Sequence, residues 1–183
     1  MREEIKEKLN MFRIYNDITL KNEIVVFGST YAGEFPFYEL SKKYLLSNAI
    51  YNRSINGMTL DEALMCLDSC VIDIKPSKVF LSLGEHDLNN KQAISVYGDI
   101  LNKIKEKLPF TELYVMPVYG NSDVVKQFNE QLKMFCLKTK TEYMDLRFYA
   151  RNEALSYSRV FSQMVQFFRK SPLNFIEAME LAN

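Results

Sequence analysis

Five short apolar runs alternate along this chain with stretches of helical periodicity, and this alternation limits the fold more than any other feature. The apolar runs lie at 24–28, 49–51, 78–83, 112–118 and 142–146. The stretches with helical spacing lie at 37–47, 59–69, 93–108 and 123–139. Strands that alternate with helices predict βαβ units and a parallel sheet that is covered on both faces. Because such crossovers are right-handed, we predict a three-layer α/β/α sandwich.

Both ends of the chain are predicted to be helical. The first twelve residues, "MREEIKEKLNMF", place apolar side chains at helical spacing among charges, so they lack the uninterrupted apolar stretch of a signal peptide. After residue 146, "RVFSQMVQFFRK" and "SPLNFIEAMELAN" predict one or two closing helices, with Ser171 as N-cap and Pro172 at the first helical position. No segment is long and apolar enough to span a membrane. We expect one domain over 1–183 and a cytoplasmic protein.

Charge and cysteine content argue against several classes of partner. The 23 basic and 23 acidic residues cancel, so no broad field favours nucleic acid or an anionic surface. Cys66 and Cys70 lie four residues apart, which places both on one helix face, and we predict buried free thiols. The chain has one histidine, His86, whereas a zinc site needs more ligands nearby. We predict neither a metal nor a cofactor.

Three loops that follow predicted strands carry the candidate functional residues. In open parallel sheets, ligands bind beyond the carboxyl ends of the strands. Ser29 and Thr30 follow the first strand, "NRSING" at 52–57 follows the second, and "GEHDLNN" at 84–90 follows the third. We therefore predict a site for a small molecule where these loops meet.

These three loops, in this order, resemble motifs of the GDSL or SGNH hydrolase superfamily. The first block of that family has Phe-Gly-Asp-Ser with Phe-Pro a few residues on, and "FGSTYAGEFP" has the same frame. "YNRSINGMTLDEAL" looks like the second block, Asn-Arg-Gly-Ile-x-Gly, and "KPSKVFLSLGEHDLNN" looks like the third, Gly-x-Asn-Asp-Leu. "YMDL" at 143–146 matches the family's fifth strand. The closest likeness is to the small intracellular branch that resembles platelet-activating-factor acetylhydrolase.

The resemblance implies a five-stranded, flavodoxin-like parallel sheet and hydrolysis of small acyl or acetyl esters. It leaves two registers open for the nucleophile. Without gaps, the family's Asp falls on Ser29 and its nucleophilic Ser falls on Thr30. Anchored instead on the Ser-to-Gly spacing, Ser29 is the nucleophile and Gly33 is the later glycine. We favour the ungapped register, and the Asp is missing in both.

The resemblance also assigns the groups that would bind the substrate. Gly57 matches the oxyanion-hole glycine, and His86 stands where the family has an oxyanion-binding Asn. Asn52 and the neighbouring Arg53 are candidates for binding the substrate or an anionic group. His86 could bind an oxyanion as a neutral imidazole, or take the hydroxyl proton as a general base if Glu85 or Asp87 orients it.

The acid and the base of the family's triad have no equivalent in this chain. The family carries Asp-x-x-His near its C-terminus, and the best match, "YSRVFSQM" at 157–164, puts Val160 at the acid and Gln163 at the base. A hydroxyl is a poor nucleophile unless an adjacent base takes its proton. We therefore predict a catalytically impaired hydrolase.

The alternative is a non-catalytic protein of the same fold that binds a small molecule or a protein partner. On that view Ser29 and Thr30 only form the turn, and Gly57 only supplies a positive φ. A third hypothesis, a homodimeric structural component, rests on the dimerisation known in the resembling branch.

Overall fold

The fold is built on one parallel sheet, seen in a computed structural model that describes residues 2–148 and 154–169. The strand order is β2-β1-β3-β4-β5 and every pairing is parallel. This is the order of flavodoxin-like sheets, in which the strand order reverses between β1 and β3. The strands are β1 (Ile24–Gly28), β2 (Ile50–Asn52), β3 (Lys78–Ser82), β4 (Glu112–Val115) and β5 (Glu142–Tyr143).

Helices cover both faces of the sheet, and each face has its own apolar cluster. The described residues contain α1 (Glu3–Asn16), α2 (Thr30–Glu34), α3 (Phe37–Lys43), α4 (Leu60–Cys70), α5 (Ala93–Lys107), α6 (Asp123–Lys138) and α7 (Ala154–Phe168). Alternate residues of β1 enter opposite clusters: Val25 and Phe27 pack with α1, α4, α5 and α6, whereas Ile24 and Val26 pack with α2, α3 and α7. This alternation follows from the two-residue repeat of a strand. The predicted three-layer α/β/α sandwich is confirmed.

Most predicted elements appear close to their predicted bounds, with differences at β4, β5 and the C-terminus. The fourth apolar run extends past β4 to 118, but Pro117 has no N–H to donate to a ladder. In the fifth run, the Leu146 N–H donates to the Met144 carbonyl in a local turn, so the strand pairing has ended. The first closing helix is α7, whereas Ser171 and Pro172 lie outside the described residues.

All three cysteines are buried and free, as predicted. Cys66 and Cys70 lie on α4 and face the cluster beneath it. Burial raises the pKa of Cys66 and Cys136 to about 11, and raises that of Cys70 further. These thiols are therefore protonated at neutral pH. Within 2–148 and 154–169 there is no helix suited to crossing a bilayer, and no group of three or more potential metal ligands.

The point where the strand order reverses brings the loops after β1 and β3 together. Gly28 ends β1 beside Ser82, and a Cβ at Gly28 would lie 2.6 Å from the Ser82 carbonyl oxygen. Glycine therefore allows the two strand ends to approach. The loop after β2 joins them because the Ile55 N–H donates to the Gly28 carbonyl over 3.0 Å. All three loops with candidate residues lie at this edge of the sheet.

Candidate functional site

The Thr30 hydroxyl is the centre of the side-chain cluster at this edge. Its Oγ1 lies 3.1 Å from Nε2 of His86, and it accepts the Gly57 N–H over 2.9 Å. Thr30 is the first residue of α2, His86 follows β3 and Gly57 precedes α4, so the three residues come from three separate loops. The structure thus places three of the predicted residues in one contact group, which we call the Thr30 cluster.

Ser29 does not belong to the Thr30 cluster. Its side chain is fully buried, and its Oγ has no hydrogen-bond partner among the described residues. Its N–H continues the strand pairing by donating to the Ser82 carbonyl over 2.9 Å. Of the two adjacent hydroxyls, the one that contacts His86 is therefore the one that the ungapped register selects.

Glu85, predicted only as an orienting group for His86, also contacts the backbone of α2 at this site. Its Oε1 accepts the N–H of Thr30 and, over 3.2 Å, the N–H of Tyr31. The same oxygen lies 3.3 Å from Nε2 of His86. An acidic residue beside His86, in the loop after β3, was the available signal. This signal does not reveal that the Glu85 carboxylate accepts hydrogen bonds from the backbone of α2.

Glu85 acts against a role of His86 as a general base. A carboxylate only accepts hydrogen bonds, so its contact with Nε2 is favourable when that nitrogen carries a proton. A base for the Thr30 hydroxyl needs the lone pair of the same nitrogen. In a catalytic triad the carboxylate instead holds the other imidazole nitrogen. Among the described residues no carboxylate accepts a hydrogen bond from Nδ1 of His86.

Asp87 positions the neighbouring helix instead of orienting His86. It is buried, and its Oδ2 accepts the N–H of Leu60, the first residue of α4, over 3.0 Å. Burial raises the pKa of the Asp87 carboxyl, and the hydrogen bond from Leu60 opposes that rise. Asp87 therefore anchors the start of the helix that follows the Gly57 loop.

The Gly57 loop is held in place from the N-terminal helix. Gly57 has φ = +73°, a region that favours glycine. Nη2 of Arg2 donates to the Gly57 carbonyl over 2.5 Å and to Oε2 of Glu62 over 2.8 Å. Glu62 also forms a capping box with Thr59 at the start of α4. The hydrogen bond from Arg2 lowers the pKa of Glu62 from its usual 4.5 to about 2.

Asn52 forms a structural link between two loops. Its Nδ2 donates to the Ala32 carbonyl over 2.8 Å, and its Oδ1 accepts the Ser54 N–H over 3.0 Å. Both ends of the amide are therefore used by the backbone. The structure places Asn52 beside α2, with no contact to the Thr30 hydroxyl among its hydrogen bonds.

The Arg53 guanidinium does not join the Thr30 cluster. The residue is 5% exposed, and its Nη2 donates to Oδ1 of Asn16 over 3.2 Å and to Oγ1 of Thr19 over 3.0 Å. It also lies 5.0 Å from the centre of the Phe12 ring and 5.6 Å from that of Tyr51. Arg53 thus ties the connection between α1 and β1 to β2, which differs from the predicted contact with a substrate.

Val160 and Gln163 both make structural contacts, and neither side chain can act as an acid or a base. Val160 is 1% exposed and packs in the cluster beneath α7. Oε1 of Gln163 accepts the Arg147 N–H, and its Nε2 donates to the Arg147 carbonyl, each over 2.9 Å. Val160 thus contributes to packing, and Gln163 links α7 to the backbone of Arg147.

A cavity of about 690 Å³ lies at the ends of β4 and β5. Its wall includes Tyr119 and Phe148, whose ring centres lie 4.9 Å and 5.1 Å from that of Tyr31. Tyr31 follows Thr30 in the sequence, and the described lining of the cavity contains no member of the Thr30 cluster. Lys126, Glu130 and Asp145 give the wall both signs of charge.

Comparison with known proteins supports the fold through structure. No protein-family profile matches the sequence, and no curated protein matches it significantly. A protein from Streptococcus pneumoniae described as a platelet activating factor superposes with a TM-score of 0.79 at 17% identity, covering 91% of this chain and 93% of that one. A GDSL-like lipase from Bacteroides thetaiotaomicron gives 0.73 at 11% identity, with 87% and 96% covered. The esterase EstA from Pseudoalteromonas sp. gives 0.65 at 18% identity, with 80% and 98% covered. The chain therefore has the fold of GDSL-like lipases and acylhydrolases.

Proposed function

We propose that this chain is a GDSL/SGNH-type esterase with Thr30 at the nucleophile position and with impaired hydrolysis of small acyl esters. The fold shared with GDSL-like lipases supports the reaction class. The observation that carries the proposal is the contact of 3.1 Å between Oγ1 of Thr30 and Nε2 of His86. His86 is the sole histidine, and among the described residues the Thr30 hydroxyl is the one that contacts its imidazole.

The residual reaction would follow ordinary acyl transfer. The Thr30 hydroxyl gives its proton to Nε2 of His86 while Oγ1 attacks the acyl carbon. The alcohol then leaves with a proton, and water hydrolyses the acyl-threonine and restores the free hydroxyl. The N–H of Gly57 lies close enough to Oγ1 to stabilise the developing oxyanion if it turns from Oγ1 to the substrate.

The impairment follows from the groups around His86. The imidazole lacks a carboxylate on its far nitrogen, and Glu85 favours a proton on the near one. Val160 and Gln163 supply no second acid or base. Loss of triad members in serine hydrolases lowers the rate by about ten thousand to a million-fold. We expect turnover far below the usual range of about 1 to 1000 per second.

A second candidate function is binding without catalysis, which the cavity at the ends of β4 and β5 favours. Its volume of about 690 Å³ is typical of small-molecule sites. Its described lining contains none of the Thr30 cluster, so a ligand there would not require chemistry at Thr30.

Hydrolysis of p-nitrophenyl acetate by the purified protein separates these candidates. We expect slow turnover above the buffer rate that is lost in Thr30→Ala and in His86→Ala. Ser29→Ala is the matched control, because its hydroxyl is adjacent but buried away from His86, and it should retain the activity. Turnover at ordinary esterase rates would contradict the impairment, and turnover that persists in Thr30→Ala would contradict the nucleophile. A wild-type rate equal to the buffer rate would favour binding without catalysis.

A further inference from the structure

Hydrogen-bond donors from two loops converge on the carboxylate of Glu85. The Thr30 and Tyr31 N–H groups donate to Oε1, and the Tyr31 N–H also lies 3.4 Å from Oε2. Nε2 of His86 lies 3.3 Å from Oε1. The Glu85 side chain is 18% exposed, so much of its carboxylate's solvation comes from these donors.

The same donors are the ones that an ester bound at Thr30 would need. When Oγ1 attacks an acyl carbon, negative charge develops on the acyl oxygen within reach of donors around Thr30. The Thr30 N–H is used by Glu85, the Gly57 N–H is used by Oγ1 of Thr30, and the imidazole faces both oxygens. The Thr30 N–H, the Gly57 N–H and Nε2 of His86 thus each already face an oxygen of this chain.

We propose that Glu85 is an internal occupant of the Thr30 site, and that its carboxylate stands where an incoming carboxylate or acyl oxygen would bind. The proposal rests on the proposed function for the placement of the reaction at Thr30. A substrate enters this site only when Glu85 swings out, because one N–H cannot serve two full-strength acceptors. Glu85 thereby keeps the site closed in the resting protein.

Removal of the Glu85 side chain should create a binding site for small carboxylates. In Glu85→Ala, the N–H groups of Thr30 and Tyr31 lose their partner, and formate or acetate can replace it. We expect sodium formate to shift the backbone amide NMR signals of these two residues, with an affinity at least about tenfold above that of wild type. Glu39→Ala is the matched control, because Glu39 is an exposed carboxylate on α3. It should behave as wild type.

A phosphonate reagent gives a second readout that tests the nucleophile separately. With ethyl p-nitrophenyl methylphosphonate, Oγ1 of Thr30 forms a bond to phosphorus, p-nitrophenolate leaves, and the hydroxyl proton passes to His86. We expect labelling of Thr30, located by mass spectrometry of peptides, to be at least about tenfold faster in Glu85→Ala than in wild type. Glu85→Ser, whose short side chain also withdraws the carboxylate from the Thr30 and Tyr31 N–H groups, provides the same comparison if the alanine variant does not fold.

The two readouts distinguish the failure of each proposal. Formate binding without labelling in Glu85→Ala would support the internal occupant and contradict Thr30 as the nucleophile. Equal labelling of wild type and Glu85→Ala, with no formate binding in either, would overturn the internal occupant and leave the proposed function standing. Neither binding nor labelling in any folded variant would overturn both.

Discussion

Replacement of Val160 by aspartate tests whether position 160, which the sequence resemblance assigns to the acid of GDSL hydrolases, is closed to solvent. Val160 is 1% exposed in the cluster that contains Phe161, Met164 and Phe168. Loss of a buried valine side chain costs about 1.5–3 kcal/mol. A carboxyl in this cluster would be held neutral, and neutralising an aspartate with an ordinary pKa of about 3.9 at pH 7 costs about 4 kcal/mol. The combined loss is about 6 kcal/mol, which is a large part of the stability of a typical domain.

This cost can be measured by urea denaturation between pH 5 and pH 7. Wild type and Val160→Asp are compared with Val160→Ala, which controls for the lost side-chain volume. The folded aspartate variant binds a proton that its unfolded form releases above a pH of about 4. The free energy of unfolding of Val160→Asp should therefore fall, relative to Val160→Ala, by about 1.4 kcal/mol for each unit of rising pH. If the free energies of unfolding of the two variants differ only slightly, by an amount independent of pH, then position 160 is solvated. Burial would then not explain why an acid is missing there.

Three further predictions concern stability. Nζ of Lys78 donates to the Phe167 carbonyl over 3.0 Å and to the Arg169 carbonyl, just after α7, over 2.9 Å, so Lys78→Met should lower the free energy of unfolding by about 1–3 kcal/mol in urea denaturation. An unchanged midpoint would mean that desolvation of the ammonium cancels these bonds. Gly57→Ala forces alanine into a positive φ and should lower the free energy of unfolding by about 1 kcal/mol. A variant as stable as wild type would show that alanine adopts this φ without strain. The pKa of Glu62 is lowered from 4.5 to about 2, so its contact with Arg2 stabilises the protein above pH 4.5 and this contribution disappears as the pH falls through about 2. Thermal melts of wild type and Glu62→Gln should therefore differ at neutral pH and converge in acid, whereas a constant difference would exclude the ionised contact.

The fold could be predicted from the sequence because periodicity and topology are linked. The bounds of β1 match the predicted run 24–28, since a strand buried on both faces is a continuous apolar run. The parallel order then brings the ends of β1 and β3 together, which explains why Thr30 and His86 meet. The short helix α2 was not predicted, because five residues are too few to show a helical period.

The details of the site could be predicted less well, because they depend on side-chain directions between loops. Ser29 and Thr30 are adjacent hydroxyls, and only the backbone course after β1 decides which one is buried. Arg53 follows a strand at the functional edge, yet its guanidinium points back to the rings of Phe12 and Tyr51. The reach of Glu85 to the α2 backbone is likewise a tertiary contact without a local pattern.

Two separate features oppose ester hydrolysis in the proposed site. On α7, Val160 and Gln163 make structural contacts and supply neither an acid nor a base, and beside Thr30 the Glu85 carboxylate accepts the backbone N–H groups. The valine at 160 contributes to packing where the family has a charged acid, and the amide of Gln163 links α7 to the backbone of Arg147. Restoring an acid and a base at these positions would remove apolar contacts and hydrogen bonds that stabilise α7. The Glu85 side chain, by contrast, is partly exposed, whereas Val160 is buried in an apolar cluster, so removal of the Glu85 carboxylate should cost less stability than Val160→Asp. We therefore expect the proposed esterase activity to rise more readily when Glu85 is removed from the Thr30 site than when an acid and a base are restored on α7.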